Sequence, residues 1–429
     1  MFAAREDYHV CAEPAGHGVR IALYIRSVQS GRGAERSIIN VCKGLAERGH
    51  HVDLVVDRDE GWLLDQLRGR DTGVRIISLR TSRLDVLSPF QSLMAAVRQL
   101  AIHPRVWTGV AAAIVYAVAH RLPVHPLRMY LKHSRPHVLL SFLNKANVTV
   151  LLAAALGASK TRLAVTFHNT LSVAADLGTS RRILDILPVF LRHADKVVAV
   201  SAGVREDLLA ISNMGITADR FTVLHNPVFN NDILRLADAP LDHPSFGDPS
   251  VPVVVAAGKL SPQKDYPTLL NAFALVRKRR AVRLLILGDG EEHDRLKRLC
   301  HDLGIAEDVE FTGYVRNPYP FFRKADLFVM SSRYEGLPTS LIEAIACGCP
   351  AVSTDCPSGP DEILAGGQYG RLTPVGDSQA LADAILETLD APIPTEILIE
   401  RARKFSFERA IDAYEDLVLA MASSSRVRF

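Results

Sequence analysis

Glu335 and Glu343 stand with seven residues between them in the stretch Ser331 to Pro350 (SSRYEGLPTSLIEAIACGCP). Gly336 and Pro338, placed at the end of an apolar run, predict a loop that opens into a helix. The first N–H groups of a helix lack backbone partners and attract anions, here around Thr339, Ser340 and Leu341. A carboxylate beside them can accept two hydrogen bonds from the vicinal hydroxyls of a ribose or hexose. Such a helix start flanked by two carboxylates suits a ligand that carries both phosphate and sugar. Ser340 and Glu343 also fit the S-x-x-E capping box, in which Glu343 sits in the first turn and merely closes a helix end.

A second loop, Ala257 to Tyr266 (AGKLSPQKDY), places Lys259 and Lys264 five residues apart between a strand and a helix. Both can face one diphosphate as mobile point charges, compensating a leaving group with two negative charges. The plainer alternative is a pair of solvated surface lysines. Near the start, Ser27 to Arg36 (SVQSGRGAER) carries Gly31 and Gly33 ahead of a helix, which lets the backbone approach a phosphate. It has neither the full G-x-G-x-x-G spacing nor a Gly-Lys-Ser/Thr, which disfavours a nicotinamide enzyme. His168, after Val165-Thr-Phe, is either a satisfied core imidazole or a ligand-facing group. Asp361 and Glu362 read as a solvated pair at a helix start or as a weaker sugar contact. The six cysteines form no C-x-x-C and no histidine cluster has metal-ligand spacing, so neither a disulfide frame nor a zinc site is expected. Reduced, cytosolic thiols are the simpler reading.

The elements that must position these residues follow from hydrophobic period. With 429 residues the chain is long enough for two domains. Short β-branched runs alternate with helical periods: Ile21–Ile25, His51–Val56, Val74–Leu79, His137–Ser141, Arg162–Thr166, Lys196–Val200 and Phe221–Leu224. The rhythm resumes after the polar, proline-bearing stretch Ala239 to Ser250, the best linker candidate, with Val251–Ala257, Arg283–Leu287, Val309–Thr312, Leu327–Met330 and Ala351–Thr354. This alternation implies an α/β fold with two doubly wound parallel sheets and a ligand cleft at the strand C-termini. The start, residues 1–18, carries acids and no apolar run, so it reads as a flexible tail and not a secretory signal. The apolar stretch Val106 to Ala119 falls short of the roughly 20 residues of a membrane span.

Taken together these blocks resemble the family 4 glycosyltransferases of GT-B architecture over nearly the whole chain. The resemblance rests on EGLPTSLIEAIACGCPAVSTD with its E-x7-E pair, and on Gly31 to Arg36 with Leu45 to His50. It extends through Phe167-His168-Asn169, Val198 to Ser201, Leu224 to Val228, Gly258 to Tyr266, Leu287 to Glu291, Phe311 to Tyr314 and Gly359 to Glu362. It implies two Rossmann-like domains facing a cleft: an acceptor domain over 19–232, a nucleotide-sugar domain over 233–410, and a final helix, 411–429, packing back toward the first. By the same resemblance Lys264, Glu335 and His168 carry catalysis. Gly33, Gly258, Lys259, Lys264, Gly336, Leu337, Thr339, Ser340, Leu341 and Glu343 bind the donor, Glu343 at the ribose and Glu335 at the transferred sugar. The family usually has Arg where Lys259 stands; Lys lacks the bidentate fork, which shifts weight to Lys264. The implied reaction is metal-free transfer of a hexose or N-acetylhexosamine from a UDP- or GDP-sugar, with retention of configuration and no cofactor. A nucleotide-sugar epimerase of the same fold and a noncatalytic partner subunit are the alternatives.

Charge adds one further clue. Net charge is +3, but residues up to 230 hold 28 basic and 18 acidic side chains, against 22 and 29 beyond. Between Arg80 and Arg182 there are 13 basic residues and only Asp85 and Asp176 as acids. That segment also contains apolar runs, at Leu93 to Leu100 and Val106 to Ala119, a mixture suited to an anionic membrane surface. The expectation is a cytoplasmic enzyme, peripheral on the membrane, acting on a glycan or lipid-linked glycan. Nucleic acid is not expected, because aromatics are few and no binding motif is present.

Overall fold

The computed structural model describes residues 18–29, 31, 33–69, 72–79, 104–157, 160–176, 181–211 and 216–424, without the side chains of 104–108 and 176. The expected tail before residue 18, the apolar run Leu93 to Leu100, and Arg80, Arg83 and Arg98 lie outside the described residues. Contacts divide the chain into two compact units. The first holds the described residues up to Val200, Val204–Leu224 and those from Ala410 onward; the second holds Ser201–Gly203 and His225–Arg409.

In the first unit seven strands, β1 (Arg20–Tyr24), β2 (His51–Val56), β3 (Val74–Ser78), β4 (Val138–Phe142), β5 (Arg162–Phe167), β6 (Lys196–Ala199) and β7 (Phe221–Val223), run parallel in the order β3-β2-β1-β4-β5-β6-β7. Parallel strands need crossovers, and the helices that supply them cover both faces, which is why strands such as Val138–Phe142 are buried throughout and apolar at every position but Ser141. The helix Phe407–Ser423 completes this unit. A Cβ on Gly44 would meet Ile411 of that helix at 2.5 Å, and Glu415 Oε1 accepts His50 Nε2 at 2.9 Å.

The second unit has six parallel strands, β8 (Val253–Ala257), β9 (Arg283–Leu287), β10 (Val309–Gly313), β11 (Leu327–Met330), β12 (Ala351–Thr354) and β13 (Arg371–Thr373), in the order β10-β9-β8-β11-β12-β13. One face buries Leu269, Leu270 and Phe273 of the helix Tyr266–Arg277 with Leu381 and Ile385 of the helix Ser378–Asp390. The stretch Ala239 to Ser250 does not behave as the expected linker. It packs within the second unit, with the His243 and Phe246 rings against Phe321 and the Leu241 carbonyl accepting Lys324 Nζ at 2.6 Å. Among the described residues no single helix is long and apolar enough to cross a membrane.

Candidate active site

In the second unit strand order reverses between β8 and β11, so the connections leave in opposite directions and open a crevice beyond the C-terminal ends of these two strands. The residues that follow them, from Gly258 and from Ser331, are its two lips. Lys264 ends a short turn, Pro262–Lys264, and its ammonium lies 2.5 Å from Oε1 of Glu335. The same oxygen accepts the Ser332 hydroxyl at 2.7 Å. Ser332 is fixed in turn because its carbonyl accepts Thr354 Oγ1 at 2.6 Å, and Lys264 because its carbonyl accepts Ser331 Oγ at 2.8 Å. The Lys264 and Glu335 side chains are 17% and 8% exposed, so solvent screens their attraction weakly. Gly258 makes room for the lysine: a Cβ there would lie 3.0 Å from Lys264 Cε.

The field of this pair reaches its neighbours. Burial, and then the Glu335 carboxylate, push the Tyr266 phenol up, while its hydroxyl donates to the Gly258 carbonyl at 3.1 Å. Burial and Glu335 likewise push the Cys356 thiol up, with Lys264 partly offsetting them. Lys259 turns elsewhere and pairs with Glu291. The two lysines expected to face one diphosphate are thus each held by a different carboxylate.

The helix Thr339–Ala346 begins directly after Pro338, which occupies the cap position and offers no side-chain acceptor. Ser340 is therefore the second helical residue, Glu343 lies beyond the first turn, and the capping box does not form. The Leu341 N–H also reaches the Pro338 carbonyl at 3.2 Å, so the helix-start donors without a partner in the helix are those of Thr339 and Ser340. Leu337 and Leu341 are buried apolar side chains that can meet a ligand only through the backbone. Glu343 is half-buried and receives the Tyr319 hydroxyl at 3.4 Å. Tyr319 carries no sequence signal for this role, being an aromatic at the start of a short helix 24 residues upstream. Replacing Glu343 by alanine is expected to weaken nucleotide-sugar binding about tenfold, the loss of one charge-assisted contact. Calorimetric titration of the variant checks this, and unchanged affinity counts against a ribose contact.

Glu362 is not the solvated helix-start group that the sequence suggests. Its Oε1 accepts His225 Nε2 at 2.5 Å and its Oε2 accepts the Ala202 N–H at 2.8 Å, so both oxygens already have partners within the second unit. Burial alone raises its pKa, but these bonds outweigh it and hold the carboxyl below its usual range. The Gly336 carbonyl is similarly occupied, accepting Ser201 Oγ at 2.7 Å and Ser358 Oγ at 2.8 Å.

The first unit has the same reversal, between β1 and β4. Beyond β1 the chain turns through Gly31, at a φ of 66°, and Gly33 opens the helix Gly33–Glu47. Glu35 in that helix's first turn accepts the Gly31 N–H at 2.9 Å and closes the loop, a role signalled only by an acid in a first turn. His168 follows β5, with its ring 5.5 Å from that of Phe142. It is 8% exposed, yet neither ring nitrogen has a hydrogen-bond partner among the described residues. This is not a satisfied core imidazole, and such a group needs a reason. Burial pushes its pKa down to about 3, so the ring is neutral at ordinary pH. Between that value and the ordinary 6.5 the unfolded chain takes a proton that the folded one refuses, and stability falls as pH drops. His168→Gln is expected to flatten the loss of melting temperature between pH 7 and pH 4; an unchanged slope contradicts the neutral buried ring.

Comparison with known proteins agrees with this fold. The family model described as "Glycosyltransferase Family 4" matches residues 31–229, and the model "Glycosyl transferases group 1" matches residues 242–405. A similar curated relative is the lipopolysaccharide core biosynthesis glycosyltransferase LpsE of Rhizobium meliloti, 33% identical over 53% of this chain and 65% of its own. Another is the N-acetylgalactosamine-N,N'-diacetylbacillosaminyl-diphospho-undecaprenol 4-alpha-N-acetylgalactosaminyltransferase of Campylobacter jejuni, 28% identical over 58% and 66%. The matched region thus spans slightly less than two thirds of the length of these two relatives. Among solved structures, HepE of Anabaena in complex with UDP-glucose superposes with a TM-score of 0.69 at 20% identity, covering 93% of this chain and 99% of that one. Sucrose-phosphate synthase of Thermosynechococcus elongatus superposes with a TM-score of 0.73 at 19% identity, covering 95% and 100%. With two parallel-sheet units, family models matched in both and these neighbours, the chain belongs to the family 4 glycosyltransferases of GT-B fold.

Proposed function

We propose that the protein transfers a hexose or N-acetylhexosamine from a UDP- or GDP-linked donor to a glycan or lipid-linked glycan, with retention of anomeric configuration. The observation that carries the reading is the Lys264–Glu335–Ser332 constellation at the strand-order reversal of the second unit, beside a helix start with two backbone donors. Lys264 and the helix start offset the charge of the leaving diphosphate, with Gly258 alongside it; Lys259 reaches it only on release from Glu291. Glu335 accepts hydroxyls of the transferred sugar and Glu343 those of the ribose. The acceptor hydroxyl forms the new bond to the anomeric carbon as the carbon–phosphate oxygen bond breaks. The departing phosphate oxygen takes the acceptor proton, so the nucleoside diphosphate leaves on the face from which attack comes. The reading assigns charge compensation to these groups and uses no metal ion.

The acceptor is read as membrane-presented at the cytoplasmic face. Support comes from Val115 and Val118, 51% and 43% exposed on the helix Pro104–Ala119, followed by Arg121, and from the diphospho-undecaprenol in the name of the Campylobacter relative. Incubation of UDP- and GDP-sugars with a prenyl-diphosphate-linked glycan, with release of nucleoside diphosphate as readout, tests the reaction. Release without any acceptor change, or none with every donor, overturns it. Co-sedimentation with anionic vesicles that weakens with salt is expected; equal absence from anionic and neutral vesicles overturns the membrane part.

A further inference from the structure

The positive charge of the first unit is not evenly spread. Arg162 is engaged by Asp195 at 2.6 Å, and Arg135 Nε by the Lys132 carbonyl at 3.3 Å. A different set gathers at the reversal between β1 and β4. Arg26 lies two residues beyond β1, with Nε 2.5 Å from Asp57 Oδ2 and Nη2 3.5 Å from the Arg121 carbonyl. Asp57 also accepts the Tyr24 hydroxyl at 2.8 Å, so the guanidinium is held from behind at a fixed place. Lys145 opens the helix Asn144–Ala155 directly after β4. His120 directly follows the helix Pro104–Ala119, its ring edge-on to Tyr116 at 4.3 Å.

These groups feel one another. Burial, and then the fields of Lys145, Arg26 and Arg182, hold His120 below the usual histidine range; burial and Arg26 do the same to Lys145. Arg182 stands in the first turn of the helix Arg181–Phe190, which packs against both the helix Pro104–Ala119 and the Lys145 helix; it and Lys145 are exposed cations, whereas Arg26 has Asp57 to balance it, so the set keeps an excess of positive charge. Three independent features mark the place as built for a ligand. It lies at a strand-order reversal, where doubly wound sheets bind. Leu143, just ahead of the Lys145 helix, is held at φ 74° and ψ 153°, a strained region that non-glycine residues rarely occupy and that concentrates at functional sites. At the end of the adjacent strand β5 stands His168, buried with both nitrogens unpartnered among the described residues.

We propose that this edge of the first unit, through Arg26, Lys145 and Arg182, binds a phosphate or diphosphate carried by the acceptor. The proposal rests on the glycosyltransferase reading and gives its acceptor a chemical class. A tetrahedral oxyanion suits the set because Arg26 offers a fixed planar fork while Lys145 and Arg182 approach on longer, mobile arms.

The test is calorimetric titration of the full chain with inorganic pyrophosphate, on wild type, on Lys145→Gln/Arg182→Gln and on Lys264→Ala. Wild type is expected to bind at two sites. The double variant, whose changes are on exposed side chains, is expected to lose one with a fall in affinity of tenfold or more, and Lys264→Ala to lose the other. Equal binding by wild type and the double variant, or a wild type whose only site disappears in Lys264→Ala, overturns the proposal. A wild type that keeps both sites in Lys264→Ala but loses one in the double variant sinks the donor assignment instead and leaves this one standing. Malonate binding at the same site as tightly as pyrophosphate overturns the phosphoryl class. Farnesyl diphosphate binding there more tightly than pyrophosphate supports a lipid-borne phosphate, and equal binding supports one on a soluble glycan.

Discussion

Lys264→Ala is expected to lower sugar transfer by about two to three orders of magnitude, the scale of losing one preorganised charge aimed at a developing anion. The ammonium sits at the end of a turn pinned by Ser331, and Gly258 leaves its chain the room to lie across the crevice. Lys259 cannot take over from where it stands, because it is paired with Glu291. A structural effect accompanies the catalytic one. Removing the ammonium leaves a carboxylate that is 8% exposed without the cation beside it, a change that costs about 3 kcal/mol in buried pairs. The double variant Lys264→Ala/Glu335→Gln separates the two effects. It is expected to recover most of the melting temperature lost in Lys264→Ala and none of the turnover. Recovery of both makes Lys264 a structural counter-ion, and wild-type turnover in Lys264→Ala refutes the diphosphate role outright.

Much of this arrangement is legible in the residues before any coordinate. Arg283–Leu287, Leu327–Met330 and Ala351–Thr354 are strands with the bounds their runs suggest, because a parallel strand covered on both faces reads as a short, mostly apolar and β-branched run. Arg371–Thr373 escapes the same reasoning: an edge strand of three residues with an exposed arginine has no run to read. The loop holding Glu335 and the helix after Pro338 are legible because glycine and proline punctuate them. Which neighbour each charge chooses is not. Lys259 and Lys264 look equivalent in sequence and are separated only by the fold, which brings Glu291 to one and Glu335 to the other. Ser332 and Thr354 are small polar residues with no spacing signature, yet they orient Glu335. The capping box fails for a local reason: Pro338, with a φ of −68° and no side-chain acceptor, starts the helix one residue before Ser340.

Glu335→Gln is expected to move binding and turnover in opposite directions. In the free protein Glu335 Oε1 holds both the Lys264 ammonium and the Ser332 hydroxyl, so an incoming diphosphate competes with this carboxylate for the lysine. Neutralising the carboxylate releases Lys264 to the diphosphate. The nucleoside diphosphate without sugar is then expected to bind about fivefold more tightly, ~1 kcal/mol, the net size of one ordinary hydrogen bond. The same change removes the acceptor that orients the sugar hydroxyls, and turnover with a nucleotide sugar is expected to fall about a hundredfold. Measured together, the two numbers distinguish competition for Lys264 from a general loss of site structure, which lowers both. A Glu335→Gln protein that binds nucleoside diphosphate more weakly than wild type therefore removes Glu335 from its place as the partner exchanged for the donor.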